Sequence, residues 1–91
     1  MNNTGVYQIN KQRILLSQIG DEGVMFDIEK NEYKLLNETL FKIFSGLQSG
    51  NTADEIYLAL LNEYDITPEK CKQKVDEVIA SLLQKEFILP A

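Results

Sequence analysis

With 91 residues the chain has room for one domain and one modest core, which excludes a multidomain enzyme. Nine basic residues against fourteen acidic ones give a net charge of −5, a sign that repels phosphate backbones and anionic lipid, so nucleic acid and membrane surfaces are not expected partners. There is no His and a single Cys, Cys71, which leaves a Ser-His-Asp triad, a Cys-His pair, a Cys/His zinc site and an internal disulfide without their residues.

Hydrophobic residues at 44% and charged residues at 25% are the proportions of a folded domain, not of a disordered tail. Residues 1–12 are expected to form an N-terminal segment, partly disordered and frayed over 1–5, ahead of one domain at 13–89. The first thirteen residues lack the apolar stretch of a secretory signal, and a cytoplasmic protein is expected.

Three short runs follow, at 13–19, 24–28 and 32–36, separated by turn-forming Asp21-Glu-Gly23 and Glu29-Lys-Asn31. Connections this tight predict an antiparallel meander. Val24, Phe26 and Ile28 alternate with Met25 and Asp27, so both faces carry apolar groups, and a sheet this small needs helices packed on it.

After Asn37 the period becomes helical. Asn37 caps a stripe of Leu40, Phe41, Phe44 and Leu47, and the pairs Ser45-Gly46 and Ser49-Gly50 are expected to end that helix. Thr52-Ala-Asp-Glu55 is a capping box that opens the stripe Ile56, Tyr57, Leu60, Leu61 and Tyr64. Thr67-Pro-Glu69 supplies a cap, a proline at the first helical position and an acid in the first turn of a third helix, which runs to about Lys85. Its apolar positions, Cys71, Val75, Val78, Ile79, Leu82 and Leu83, make a band wider than contact with one neighbour requires. The expected fold is therefore α+β and winged helix-turn-helix-like, a three-stranded antiparallel sheet followed by three helices.

Six acids between Asp21 and Glu38 lack the spacing of a calcium loop and mostly fall at turns, so they are assigned to solvated surface. Cys71, on an apolar stripe without a redox motif, is assigned to the core. The third helix carries Lys70, Lys72, Lys74 and Lys85 but also Glu69, Asp76 and Glu77 and no Arg, a poor composition for reading DNA. In a meander the third strand is an edge with unpaired backbone groups. Two readings of it stand side by side: an edge blunted by Glu32 and Lys34, or one to which an extended peptide adds as a fourth strand.

The order of these segments resembles the PqqD-like family, the recognition elements that bind precursor peptides of ribosomally made, post-translationally modified products. The resemblance runs over residues 13–89. It rests on Gly23-Val-Met-Phe-Asp27, Asn31-Glu-Tyr-Lys-Leu-Leu-Asn37, Glu38-Thr-Leu-Phe-Lys-Ile-Phe44 with Gly46-Leu47, Asn51-Thr-Ala-Asp-Glu-Ile56, Leu60-Leu-Asn-Glu-Tyr-Asp65, and Val75, Ile79 and Leu82. One departure stands near the end, where the family often has Gly and this chain has Glu86 before Phe87.

The resemblance implies a domain that pairs a leader peptide with its third strand, in the cleft against the third helix, without performing chemistry itself. It places backbone pairing at Glu32, Tyr33, Lys34 and Leu35. With Cys71, Val75, Val78 and Leu82 taken as the core line of the third helix, the neighbouring column of Lys72, Asp76, Ile79 and Leu83 would line the cleft. Ile79 and Leu83 would receive apolar side chains, and Lys72 and Asp76 would set the polarity of the rim. The implied partners are a precursor leader peptide and a separate modifying or processing enzyme, such as the leader peptidase and cyclase of a lasso-peptide pathway. No enzymatic activity, metal or cofactor is expected. A winged-helix transcriptional regulator and a small self-associating structural subunit are the alternative readings.

Overall fold

The computed structural model describes residues 6–91, and the expected fraying of 1–5 lies outside them. In chain order the elements are β1 (Tyr7–Ile9), β2 (Ile14–Ile19), β3 (Glu22–Asp27), β4 (Glu32–Leu36), α1 (Glu38–Gln48), α2 (Ala53–Glu63), α3 (Pro68–Gln84) and β5 (Ile88–Pro90). Strands β2, β3 and β4 form the antiparallel meander, and the three helices follow it as the sequence predicts. The two-stranded antiparallel sheet of β1 and β5 has no counterpart in the sequence reading, which starts the domain at Arg13.

Ile19 pairs directly with Glu22, so the β2–β3 turn is Gly20-Asp21 and not the Asp21–Gly23 expected. Gly20 takes φ 62 at the first central position, the backbone that a primed two-residue hairpin turn requires. Gly23 lies inside β3, where a Cβ would come within 2.2 Å of the Phe41 ring, so it is glycine to let α1 seat on the sheet.

The β3–β4 turn is organised by Asp27, which is 2% exposed. Its Oδ1 accepts from the Glu29 and Lys30 amides at 3.1 Å each and lies 3.7 Å from Arg13 Nε. Burying a carboxylate is tolerable only with such partners. Arg13 also donates from NH1 to the Lys85 carbonyl at 2.8 Å and lies over the Phe87 ring, tying the sheet to the end of α3.

Each helix begins as its caps dictate. Asn37 Oδ1 accepts from the Leu40 amide, Thr52 and Glu55 form the reciprocal capping box, and Thr67 Oγ1 accepts from the Lys70 amide ahead of Pro68 at the first turn. Helix α1 passes through Ser45-Gly46 and stops only at Ser49, followed by Gly50 at φ 89. Gly46 is an approach point: a Cβ there would lie 2.7 Å from Ile56 Cγ1, so its absence lets α1 and α2 close on each other. Lys42 reinforces that contact by bridging Glu38 and Glu63, and its hydrogen bond to Glu63 raises its pKa to about 12.

Helix α3 ends in a paired cap, with Glu86 N–H donating to the Leu83 carbonyl and Phe87 N–H to the Leu82 carbonyl. Glu86 adopts φ 63, the left-handed conformation a glycine would take there without strain, so the departure from the family pattern leaves the cap geometry in place. Beyond it Phe87 and Ile88 are buried, and the Asn10 amide donates to the Phe87 carbonyl where β5 meets β1.

The core gathers Ile14 and Met25 from the sheet, Ile43, Phe44 and Leu47 from α1, Ile56 and Leu60 from α2, and Cys71, Val75, Ile79 and Leu82 from α3. Cys71 is 2% exposed and its Sγ donates to the Tyr57 carbonyl at 3.6 Å, with burial pushing the thiol pKa up. That environment is structural.

Candidate functional site

Strand β4 is an edge, since the sheet order is β2-β3-β4. Which of its backbone groups are free follows from the ladder. Ile28 N–H donates to the Arg13 carbonyl at 2.9 Å, and hydrogen-bonded pairs alternate along an antiparallel pair, so 15/26, 17/24 and 19/22 are the pairs that bond β2 to β3. The intervening β3 residues Gly23, Met25 and Asp27 turn their backbone groups to Leu36, Lys34 and Glu32. The N–H and C=O groups of Tyr33 and Leu35 therefore point outward, away from the sheet.

The side chains of β4 divide the same way. Tyr33 and Leu35 share the face away from the helices with Phe26 and Val24, are 75% and 72% exposed, and Tyr33 packs its ring 4.7 Å from that of Phe26. Glu32, Lys34 and Leu36 lie on the other face, with the buried Asp27, Met25 and Gly23, and of the three β4 residues only Leu36 is buried. An open backbone edge thus stands between an exposed apolar strip and the helical side of the sheet.

On the helical side, Lys34 and Leu36 face α3 across a hollow of about 120 Å³, with Leu35 between them at its rim, floored by Met25, Leu40 and Phe44 and closed by Leu82, Lys85 and Phe87. A larger apolar hollow of about 410 Å³ lies toward the start of α3, with Thr39, Leu60, Tyr64, Ile66, Lys70, Cys71 and Lys74 in its walls. On a helix, Lys74, Val78, Ser81 and Lys85 follow one another at i, i+4, i+7 and i+11 and make a single stripe. Its two ends are lysines in the two hollows.

The structure places the expected site residues in two groups. Glu32, Tyr33, Lys34 and Leu35 all lie on the open edge, with Lys34 presenting its side chain and Tyr33 and Leu35 their backbones. The expected α3 column lies elsewhere. Ile79 is 5% exposed and belongs to the core, whereas Val78, assigned to the core line by the sequence reading, is only half-buried. Cys71, Val75 and Leu82 of that line are buried as expected, and Ile79 takes the inward place expected of Val78. Leu83 is half-buried against the core. Lys72 sits over the Tyr57 ring of α2 at 5.9 Å and lies 3.8 Å from Asp76, so this pair faces α2 rather than β4. The α3 residues brought to the β4 hollow are Leu82 and Lys85. Among the described residues no group of three or more His, Cys, Asp or Glu side chains is arranged to hold a metal ion, and no helix is long and apolar enough to cross a membrane.

The comparisons with known proteins agree with this architecture. TbiB1 in complex with the TbiA(beta) leader peptide superposes with a TM-score of 0.78 at 23% identity, covering 89% of this chain and 93% of that one. Lasso peptide synthetase B1 complexed with the leader peptide gives 0.79 at 23% identity, covering 92% and 98%. At such identity the likeness establishes a shared fold. No curated protein matches the chain. The family described as coenzyme PQQ synthesis protein D (PqqD) matches residues 22–88, from the start of β3 to the first residue of β5 and so across the open edge and all three helices; the chain belongs to the PqqD family.

Proposed function

We propose that this chain binds the leader segment of a ribosomally made precursor peptide by strand addition to β4, in the cytoplasm, and presents it to a separate modifying or processing enzyme such as a leader peptidase. The observation that carries the reading is the unblocked edge, where the outward backbone groups of Tyr33 and Leu35 adjoin an apolar hollow walled by α3. The leader complexes named for the two similar folds support the same role.

In this arrangement the peptide exchanges backbone bonds with Tyr33 and Leu35. Its side chains alternate, one set covering Tyr33 and Leu35 and the other entering the hollow above Leu36, Leu40 and Leu82. The domain contributes register and local concentration, and bond-making is left to the partner enzyme. Leu82 and Lys85 take the place of Lys72, Asp76, Ile79 and Leu83 as the residues that α3 and its C-cap bring to the β4 hollow, with Val78 on the stripe between Lys74 and Lys85.

The test compares two prolines on one strand, read by calorimetric titration with the leader of the precursor encoded beside this gene. Leu35→Pro removes an outward N–H and is expected to weaken binding by at least about thirtyfold while the fold survives, because proline is accepted where the N–H faces solvent. Lys34→Pro removes a ladder bond to Met25 and is expected to lower the melting temperature. Undiminished affinity of Leu35→Pro would remove β4 from the binding surface.

A further inference from the structure

Four of the chain's lysines, Lys34, Lys70, Lys74 and Lys85, line the two hollows along α3, the smaller against β4 and the larger beyond the end of β4 against Thr39 of α1 and Leu60 and Tyr64 of α2, all exposed and none in an ion pair among the described residues. Lysines elsewhere on the helices are neutralised: Lys42 by Glu38 and Glu63, and Lys72 by Asp76. Lys70 and Lys74 are also one turn apart on α3, a like-charge spacing that disfavours the helix slightly. The only carboxylate lining either hollow is Glu77, in the larger one. A chain of net charge −5 thus keeps a stripe along α3, from β4 to the start of the helix, in which four lysines outnumber one carboxylate.

We infer that the cleft selects an acidic peptide, one whose helix-facing side chains carry carboxylates toward Lys34 and Lys85 at one end and toward Lys70 and Lys74 at the other, with apolar side chains between them. This rests on the strand-addition reading and specifies its ligand. Lys74 and Lys85 are separated by eleven residues of helix, about 16 Å at 1.5 Å per residue. An extended strand covers that distance in about five residues, and side chains on one face recur every second residue, so the carboxylates fall about four or about six positions apart.

The experiment is a selection of displayed random dodecapeptides on the immobilised full chain at low salt, followed by titration of the enriched peptides. The expected peptides alternate, carry acids at the stated spacing, and lose about tenfold in affinity to the double variant Lys74→Glu, Lys85→Glu, whose melting temperature falls only slightly because both side chains are exposed and outside any ion pair among the described residues, Lys85 losing its place over the Phe87 ring. Enriched peptides that bind at β4, judged by amide shifts in 33–36 and loss with Leu35→Pro, but show no excess of acids or no response to the charge reversal, overturn this inference and leave strand addition standing. Enriched peptides indifferent to Leu35→Pro that shift no β4 amides, or no enrichment at all, overturn strand addition and this inference together. Binding of a random-sequence DNA duplex at the same salt, lost in the charge-reversed variant, would assign the stripe to phosphate and overturn it as well.

Discussion

Lys72 and Lys74 stand two positions apart on α3 and are identical in chemistry, yet their surroundings differ. Lys72 lies over Tyr57 of α2 and is paired with Asp76, whereas Lys74 lines a hollow that also holds Glu77 and is in no ion pair among the described residues. The same contrast extends along the helix. The Lys72 flank continues through Ile79, sealed in the core, and Leu83, half-buried against it; the Lys74 flank continues through half-buried Val78 and Ser81 to exposed Lys85 at the β4 hollow. One flank of the helix is committed to holding the domain together. The other packs Val78 against the core but keeps Lys74 and Lys85 exposed and outside any ion pair among the described residues, as a surface that receives a ligand does.

That contrast can be broken by substitution. The largest effect is expected from Ile79→Ala, which opens a cavity in the core and should lower the unfolding free energy by about 2–5 kcal/mol in urea titration. A loss below about 1 kcal/mol would move Ile79 out of the core and restore it to the cleft. Next comes a pair read by both melting and binding. Val78 and Leu83 are both half-buried against the core, so both Asp variants should lower the melting temperature; well below melting, Val78→Asp should weaken leader binding by about tenfold or more and Leu83→Asp should leave it near that of the parent. Exchange of those two affinities would put Leu83 in the cleft in place of Val78.

The closing cap sharpens the picture at the end of the cleft. Glu86→Gly relieves a left-handed residue and should raise stability by about 1 kcal/mol in the same urea titration, leaving affinity unchanged. A destabilised variant would show that Glu86 holds the cap by contacts that outweigh its strain. The smallest effect belongs to Lys72→Glu, whose exposed pair with Asp76 contributes little; both leader affinity and melting temperature should remain near those of the parent. A clear loss of affinity would bring the α2-facing flank into the binding surface.

Much of this was legible in the sequence because the signals are local. The caps at Asn37, Thr52 and Thr67 set the starts of all three helices, and alternation with two tight turns was enough for the meander. Glycine was misread where its reason is tertiary: Gly46 sits within α1 because Ile56 approaches it, and Gly23 sits within β3 because Phe41 does. Both look like turn residues until the neighbouring element is known. Strands β1 and β5 are three residues each, too short for any periodicity, and exist by pairing across nearly the whole chain. That residues 32–36 form an edge strand was legible for the same local reason as the meander. The α3 residues were not, since adjacent Val78 and Ile79 are equally apolar and only packing against the other elements decides which faces inward. Backbone direction on β4 was also out of reach, because it depends on the ladder phase fixed by Ile28 and Arg13.

The central claim is that a peptide adds to β4 against the Lys74 flank of α3, and it is tested most directly by an amide-resolved NMR titration of the purified chain with the leader of the precursor encoded beside its gene. The account predicts shifts concentrated in residues 33–36 and at 74, 78, 81, 82 and 85, with the outward amides of Tyr33 and Leu35 protected from exchange and those of Lys72 and Asp76 unmoved. Shifts confined to the Lys72 flank and α2, or none at β4 under saturating peptide, would contradict it.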